Sequence, residues 1–446
     1  MPLPRKIALD IVMRIDNDHS YSNLLLDATL ERESLDGRDA AFVTALVYGV
    51  IENLICLDYM ITHFAGRSAA KLQPKVHNIL RLGAYQLIFM DKVPESAAVD
   101  SSVRLTKLTG CAYASGFVNA VLRALAKNIQ NLPYPDKNAD MTGYLSVKYS
   151  CPIWLIEKWM AAYGEEITLG LLGSLGGRPP AAARVNTLKV TPQALIDILK
   201  NDGLVARISP VADAAIELES LPNLRRIKAF DEGLFIMQDY ASQLCCMAVG
   251  AGADDTVIDM CAAPGGKSFT LGFMMQGRGK ITACDLADSR VSLIEQGARR
   301  LGLEGLITAV RSDATRHSGT LGLADKVLCD VPCSGLGVIR RKPEIRYKKP
   351  ESFDLLPDLQ YIILCEGATH VVPGGRLVYS TCTLSPDENE EIAKKFLKNN
   401  PSFAAEPLEK GFFAAGAQPC HYVTLFPHLN GTDGFFIARF KNNRQV

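Results

Sequence analysis

The chain is short of the residues and spacings from which metal centres are built. It has 7 His among 446 residues, none of its 12 Cys forms a C-x-x-C pair, and no zinc-ligand spacing occurs. No metal is therefore expected. Net charge is also missing: 48 Lys and Arg balance 48 Asp and Glu, and the pI is about 7.0. That excludes attraction of the whole molecule to nucleic acid, so any contact with RNA must use local basic clusters. There is no internal repeat and no low-complexity segment. The most apolar stretch, Ala40 to Leu57, is interrupted by Glu52 and Asn53 and reads as one core helix rather than a membrane span. The opening MPLPRKIALDIVMRIDND acquires acids within its first turns and lacks the apolar core of a signal peptide. These absences predict a cytoplasmic protein without a membrane anchor, its cysteines mostly reduced.

What is present is ordinary for a globular protein: 48% hydrophobic and 22% charged residues, enough chain for about two or three domains. Residues 1–130 read as helix after helix. Ile7, Ala8, Ile11, Val12 and Ile15 share one apolar face, Phe42, Leu46, Val47, Val50, Ile51 and Leu54 a second, and Phe117, Val118, Val121, Leu122 and Leu125 a third. Pro133 and Pro135 among Asn, Asp and Lys mark 131–148 as a linker. A mixed segment of short strands and helices follows, and from 256 strand and helix alternate to the end, which predicts a mostly parallel sheet covered on both faces. The expected parts are an all-α domain at 1–135, a small α/β linker subdomain at 149–235 and a Rossmann-like α/β domain at 236–446. His421 to Pro427 and Gly434 to Lys441 read as an antiparallel pair closing the sheet.

The stretch TVIDMCAAPGGK, 256–267, runs from a short buried strand into a glycine pair and then an amphipathic segment. Glycine at such a turn bares backbone N–H groups, and the helix start adds partial positive charge, so an anionic ligand group is expected there. Three ligands compete. A dinucleotide fold wants G-x-G-x-x-G, and only two adjacent glycines are offered; a P-loop wants a first glycine where Cys261 stands. The third ligand has an amino-acid end for the turn and an adenosine end for Asp285 and Asp313, which follow the next two strands. That ligand is S-adenosylmethionine. Asp259 is expected to support the turn, and Asp239 to cap the helix after MQD.

Cysteines follow two later strands, in DVPCSGLG at 330–337 and STCTLSPDENE at 380–390. Ligands of open parallel sheets bind beyond the carboxyl ends of their strands, so Cys333 and Cys382 face the proposed site, whereas the other ten read as small hydrophobes. Spacing leaves both open as an attacking sulfur. DMCAAPGGK, DVPCSGLG and STCTLSPDENE, in this order, resemble the NOL1/NOP2/Sun family of RNA cytosine-5 methyltransferases. The amino-terminal part resembles the NusB RNA-binding domain, which members acting on bacterial small-subunit ribosomal RNA carry fused. The resemblance covers essentially the whole chain. It implies methylation of carbon 5 of a cytosine in 16S ribosomal RNA through a covalent cysteine adduct, with Cys382 as nucleophile, Cys333 assisting product release and Asp330 holding the base. It also implies S-adenosylmethionine contacts from Cys261, Ala262, Ala263, Pro264, Gly265, Gly266, Lys267, Asp285, Arg290, Asp313 and Asp330.

The basic loop RRKPEIRYKK, 340–349, offers Arg340, Arg341, Lys342, Arg346 and Lys348 for RNA phosphates, with Tyr347 as its one aromatic. Lys267 and the 340–342 cluster are also candidates for the positive field that would favour a thiolate. Arg67, Lys71, Lys75, Arg104 and Lys107 in the helical part, and Arg184, Asn186 and Lys189 in RVNTLK, are further candidates for RNA contact. A solvated face or ordinary strand-edge polarity is the alternative for each. RNA is the expected partner, with no DNA and no membrane, and a monomer is expected. The rival functions are a P-loop nucleotide hydrolase, the same chemistry on transfer RNA, and a non-catalytic RNA-binding protein.

Overall fold

The computed structural model describes residues 4–18, 22–33, 35–177, 179–219, 224–317, 319–413 and 418–444. Two compact units form: Met1–Gly177 with Ile339–Lys348, and Arg178–Val338 with Lys349–Val446.

The described part of the first unit is helical, with longer helices at Pro4–Asp18, Ser22–Glu33, Gly37–Glu52, Leu54–Ala65, Pro74–Phe89, Glu95–Leu108, Ser115–Lys127, Met141–Tyr149 and Ile153–Ser174. The apolar faces expected from periodicity meet in one core: Ile11, Val12, Leu46, Val47, Val50, Val118 and Leu122 are each at most 1% exposed. The expected single helix from Ala40 to Leu57 is instead two helices bent by 78°. Asn53 leaves helical geometry and its amide donates to the Gly49 carbonyl at 2.8 Å. The Ser150 hydroxyl then accepts from the Ile55 N–H at 2.8 Å, satisfying an orphan donor of the second helix. Among the described residues no single helix is long and apolar enough to cross a membrane; the bent pair passes by length and composition, but Val43, Leu46, Cys56 and Met60 lie buried in the core. The expected linker also orders. Asp140 accepts from the Gly143 N–H at 2.8 Å and caps Met141–Tyr149. The first unit runs on to Gly177 and includes Ile153–Ser174, which packs with Met141–Tyr149.

The second unit holds two sheets. Strands β1 (Ala181–Val185), β2 (Ala206–Ile208), β3 (Ala215–Leu218) and β4 (Phe235–Met237) form an antiparallel sheet in the order β2-β3-β1-β4, with helices Pro192–Asn201 and Lys228–Asp231 between strands. β2 and β3 are three and four residues long, too short for alternation to mark them. The larger sheet is built from β5 (Thr256–Asp259), β6 (Lys280–Asp285), β7 (Ile307–Arg311), β8 (Ala324–Asp330), β9 (Val371–Thr381), β10 (Phe403–Ala405), β11 (Tyr422–Leu425) and β12 (Phe435–Asn442). Its order is β10-β12-β9-β8-β5-β6-β7, with β11 also on β12. β5 to β9 run parallel, and β12 closes the sheet antiparallel to β9. Helices Tyr240–Val249, Gly266–Met274 and Asp288–Leu301 cover one face, Leu356–Thr369 and Glu390–Asn399 the other. The chain leaves β5 toward β6 on one side and returns to β8 on the other. The crevice beyond the carboxyl ends of β5 and β8 is therefore the switch point at which such sheets bind ligands.

Candidate active site

Residues 260–267 leave β5 at that switch point. Gly265 has φ +108 and a Cβ there would collide with the Phe269 ring, so only glycine lets the chain turn into the helix Gly266–Met274. Asp285, 5% exposed at the tip of β6, accepts from the Ala263 N–H at 3.3 Å and the Ala287 N–H at 3.4 Å, and Arg290 lies 3.7 Å from it. Buried Asp259 accepts from the Ser268 hydroxyl at 2.7 Å, in keeping with a supporting role. Burial raises its pKa to about 7, helped by the nearby Asp330 charge and opposed by the Ser268 bond. A cavity of about 250 Å³ is lined by Gln238, Ser242, Asp259, Cys261 to Pro264, Gly266, Lys267 and Asp330. Asp285, Arg290, Asp313 and the two cysteines do not line it.

Lys267 is neither a surface lysine nor a free cation. Its Nζ lies 2.6 Å from Asp330 Oδ2, and the side chain is 13% exposed. Burial works against its charge, but the Asp330 carboxylate outweighs burial and raises its pKa. The Ser380 hydroxyl donates to the other Asp330 oxygen at 2.8 Å. Asp330 and Ser380 are register partners at the ends of the parallel strands β8 and β9. The loops that follow leave the sheet at the same level, and Cys333 Sγ comes to 3.2 Å from Cys382 Sγ. The bond to Cys382, together with burial, raises the Cys333 pKa well above that of an ordinary thiol, and either sulfur can be the donor of that bond.

The two cysteine loops are joined by polar groups, several of them inside the two cysteine motifs, to which the sequence assigned no role. Glu388, 2% exposed, accepts from the Ser334 N–H at 2.9 Å, the Ser334 hydroxyl at 2.5 Å and the Gln360 amide at 2.9 Å. Ser334 also bonds Thr383 at 2.6 Å, and Gln360 donates to the Pro332 carbonyl at 3.0 Å. Asn389 ties Thr381 and Thr383 at 2.5 and 3.0 Å. The Gly337 N–H donates to the Cys382 carbonyl at 3.0 Å, and a Cβ on Gly337 would collide with the Gly434 backbone. One cue was legible: ENE follows the second cysteine too closely to leave its loop.

Other expected site residues have different surroundings. Asp313 accepts from the Thr315 N–H at 3.0 Å and hydroxyl at 2.6 Å, which lower its pKa, and so caps its own loop. Asp239 caps Tyr240–Val249 as expected, accepting from the Ala241 N–H at 2.8 Å. Buried Arg184 donates to the Asp213 carbonyl. Asn186 donates to Gly233 and Leu301 carbonyls at 2.9 and 3.0 Å, and Lys189 to Glu232 and Arg300 carbonyls at 2.9 and 3.2 Å. RVNTLK thus fastens the small sheet to the end of helix Asp288–Leu301. In the first unit Arg346, expected at RNA, is 1% exposed and donates to the Glu52, Tyr149 and Ser150 carbonyls, each at 3.4 Å. Its Nη1 is the atom on which the three carbonyls converge. Tyr347 bonds Ser150 beside it. Arg340, Arg341 and Lys342 are half-buried, and Lys348 is exposed. The same unit carries a groove of about 290 Å³ lined by Arg67, Lys71, Tyr113 and Phe117, with the Arg67 guanidinium 4.4 Å from the Phe117 ring centroid.

Comparison with known proteins assigns three regions. Residues 247–441 match the 16S rRNA methyltransferase RsmB/F family, residues 3–127 the NusB family, and residues 151–225 the RsmF/B-like ferredoxin-like domain. The order β2-β3-β1-β4 around a central β1 fits the last of these. The chain is 35% identical over 447 residues to the probable ribosomal RNA small subunit methyltransferase B of Bacillus subtilis strain 168, covering 98% of each. It is 32% identical to the protein of the same description from Synechocystis PCC 6803, covering 98% of this chain and 99% of that one. The solved structure of PH0851 superposes with a TM-score of 0.82 at 26% identity, covering 99% of both chains.

Proposed function

The chain belongs to the RsmB/Sun family of S-adenosylmethionine-dependent small-subunit ribosomal RNA methyltransferases, and on that premise we propose that it methylates carbon 5 of a cytosine in 16S ribosomal RNA through a covalent adduct on Cys382. The observation that carries this reading is the 3.2 Å approach of the Cys333 and Cys382 sulfurs at the strand ends, beside the Asp330–Lys267 pair. Carbon 5 of cytosine is a weak nucleophile. A Cys382 thiolate that bonds to carbon 6 pushes ring electrons toward carbon 5 and divides one hard step into two. Cys333, holding its proton, is the donor that favours charge on Cys382.

S-adenosylmethionine supplies an electrophilic methyl group when bound. The chain has groups suited to it: the turn Cys261 to Lys267, the strand-tip carboxylate of Asp285 with Arg290, and Asp313 and Asp330. Gln238 adds a buried Nε2 donor that has no hydrogen-bond partner among the described residues and sits next to Gly266, a fit for a carboxylate. Asp330, fixed by Lys267 and Ser380, accepts from the exocyclic amino group of the cytosine and orients the ring.

Once the Cys382 sulfur is a thioether, the bond that held the Cys333 proton is gone. Cys333 then ionises to solvent and removes the proton from carbon 5; the electrons of that C–H bond restore the ring double bond as the carbon–sulfur bond breaks, returning Cys382 as thiolate. The NusB-like unit docks the RNA through the Arg67, Lys71, Tyr113 and Phe117 groove, and the enzyme works as a cytoplasmic monomer.

Methyl transfer to undermodified 16S ribosomal RNA, with bisulfite mapping, tests the reading. Cys382→Ala is expected to lose at least about 10⁴-fold in turnover and all covalent trapping while cofactor binding survives. Cys333→Ser should accumulate a protein–RNA adduct on a denaturing gel. Full activity in Cys382→Ala would refute the nucleophile, and binding without methyl transfer in the parent would favour a non-catalytic RNA-binding protein.

A further inference from the structure

We propose that His317, Glu366 and His370 form a binding site for a divalent transition-metal ion, with Zn²⁺ as the expected occupant. Glu366 lies in the last turn of helix Leu356–Thr369 and His370 follows it at i, i+4, so both face the same side. His317 arrives from the loop after β7. Their ligand atoms all lie within 4.8 Å of one another. His317 Nδ1 is 3.0 Å and His370 Nε2 3.1 Å from the same oxygen, Glu366 Oε1. Metal–ligand bonds of about 2.0–2.1 Å place neighbouring donors about 3.0–3.4 Å apart at angles from a right angle to tetrahedral. The two histidine–carboxylate distances are thus already at coordination spacing, and the two imidazole nitrogens lie within 4.8 Å of each other.

The partners of His370 strengthen the assignment. Its ring is 2% exposed, with Nδ1 3.2 Å from the Gly322 carbonyl and Nε2 aimed at Glu366. A neutral imidazole has one N–H. When Nδ1–H donates to Gly322, the bare lone pair of Nε2 points at a carboxylate oxygen, and a cation between them turns repulsion into two bonds. A ring N–H held by a backbone carbonyl is also the usual outer support of a metal-bound histidine. Two imidazoles and one carboxylate suit zinc and leave a position for water. The ion would clamp the loop bearing Asp313 to the helix bearing Gln360. The role is structural and independent of the cysteine chemistry.

Full-length protein stripped with a chelator and titrated with Zn²⁺ against a chromophoric competitor tests the site, with Co²⁺ as spectroscopic probe. The parent should bind one equivalent at this site, a Cys333→Ser/Cys382→Ser variant should keep it, and Co²⁺ should show d–d bands without a thiolate charge-transfer band. His317, with a side chain 68% exposed, can be replaced without threatening the fold. His317→Ala should weaken Zn²⁺ at least about tenfold, the least expected even for losing an outer-shell partner. Zn²⁺ should raise the Tm of the parent more than that of His317→Ala. Unchanged affinity in His317→Ala, loss of the ion with the cysteines, or no bound ion at all would overturn the proposal, the last leaving an imidazolium–carboxylate cluster.

Discussion

The turn Cys261–Lys267 and the pair Cys333/Cys382 stand at the same edge of one sheet but are held by different means. The turn is continuous in sequence and shaped by its own backbone, through Gly265 and the Ala263 N–H that meets Asp285. The cysteines are 49 residues apart and meet because β8 and β9 end in register and because buried Glu388 joins the two loops. Side-chain changes near the turn should therefore act on ligand binding. Changes at Glu388, which touches neither sulfur in its hydrogen bonding, should act on the chemical step.

The largest effect that would sharpen this contrast is Glu388→Gln. Its amide N–H groups would face the Ser334 and Gln360 donors, and the sulfurs would lose their common support. Turnover is expected to fall about 100-fold, the cost of a displacement of about 1 Å, with cofactor affinity by titration calorimetry unchanged; a parallel loss of affinity would break the distinction. Asp285→Asn is the converse. Removing the strand-tip charge should weaken S-adenosylmethionine about tenfold or more, as loss of a charged hydrogen bond does, and leave covalent trapping at saturating cofactor intact.

Arg346→Met extends the comparison to the first unit, where a basic side chain bonds backbone carbonyls. Thermal unfolding should reveal a loss of about 2 kcal/mol from three abandoned carbonyls, with the salt dependence of RNA binding unaltered. A reduced salt slope would restore Arg346 as a phosphate contact.

A pH slope at Asp259 tests the floor of the turn. Its folded pKa of about 7 lies above the ordinary 3.8, so the protonated form stabilises the fold. That contribution is complete below the ordinary value and is lost as pH rises through about 7. Asp259→Asn should flatten denaturant-derived stability over this window, by at most about 1.4 kcal/mol per pH unit. An unchanged slope would show that Asp259 ionises freely.

Several features were legible before any coordinates. The parallel core, the closing pair at the end of the chain and the helical first unit follow from hydrophobic period, and the tight turn into the helix Gly266–Met274 follows from two glycines after a buried strand. The break at Asn53 was not legible, because the N–H it frees at Ile55 is satisfied by Ser150, a residue distant in sequence. Nor was the burial of Arg346: RRKPEIRYKK has the composition of a solvated loop, and composition is blind to carbonyls that converge from elsewhere. The candidate metal cluster escaped for the same reason, since Glu366 and His370 supply only two ligands and His317 lies far from them in sequence.

The sequence by itself determined which chemistry was available, because the side-chain types at the strand ends and the conformational demands of Gly265 are local properties carried by single residues and their neighbours. Only tertiary structure decided which groups cooperate. The strand order put Asp330 opposite Ser380, brought the two sulfurs together, and turned Lys267 into the partner of Asp330. Such pairings depend on which strands become neighbours and in what register, a choice made by burial over the whole sheet.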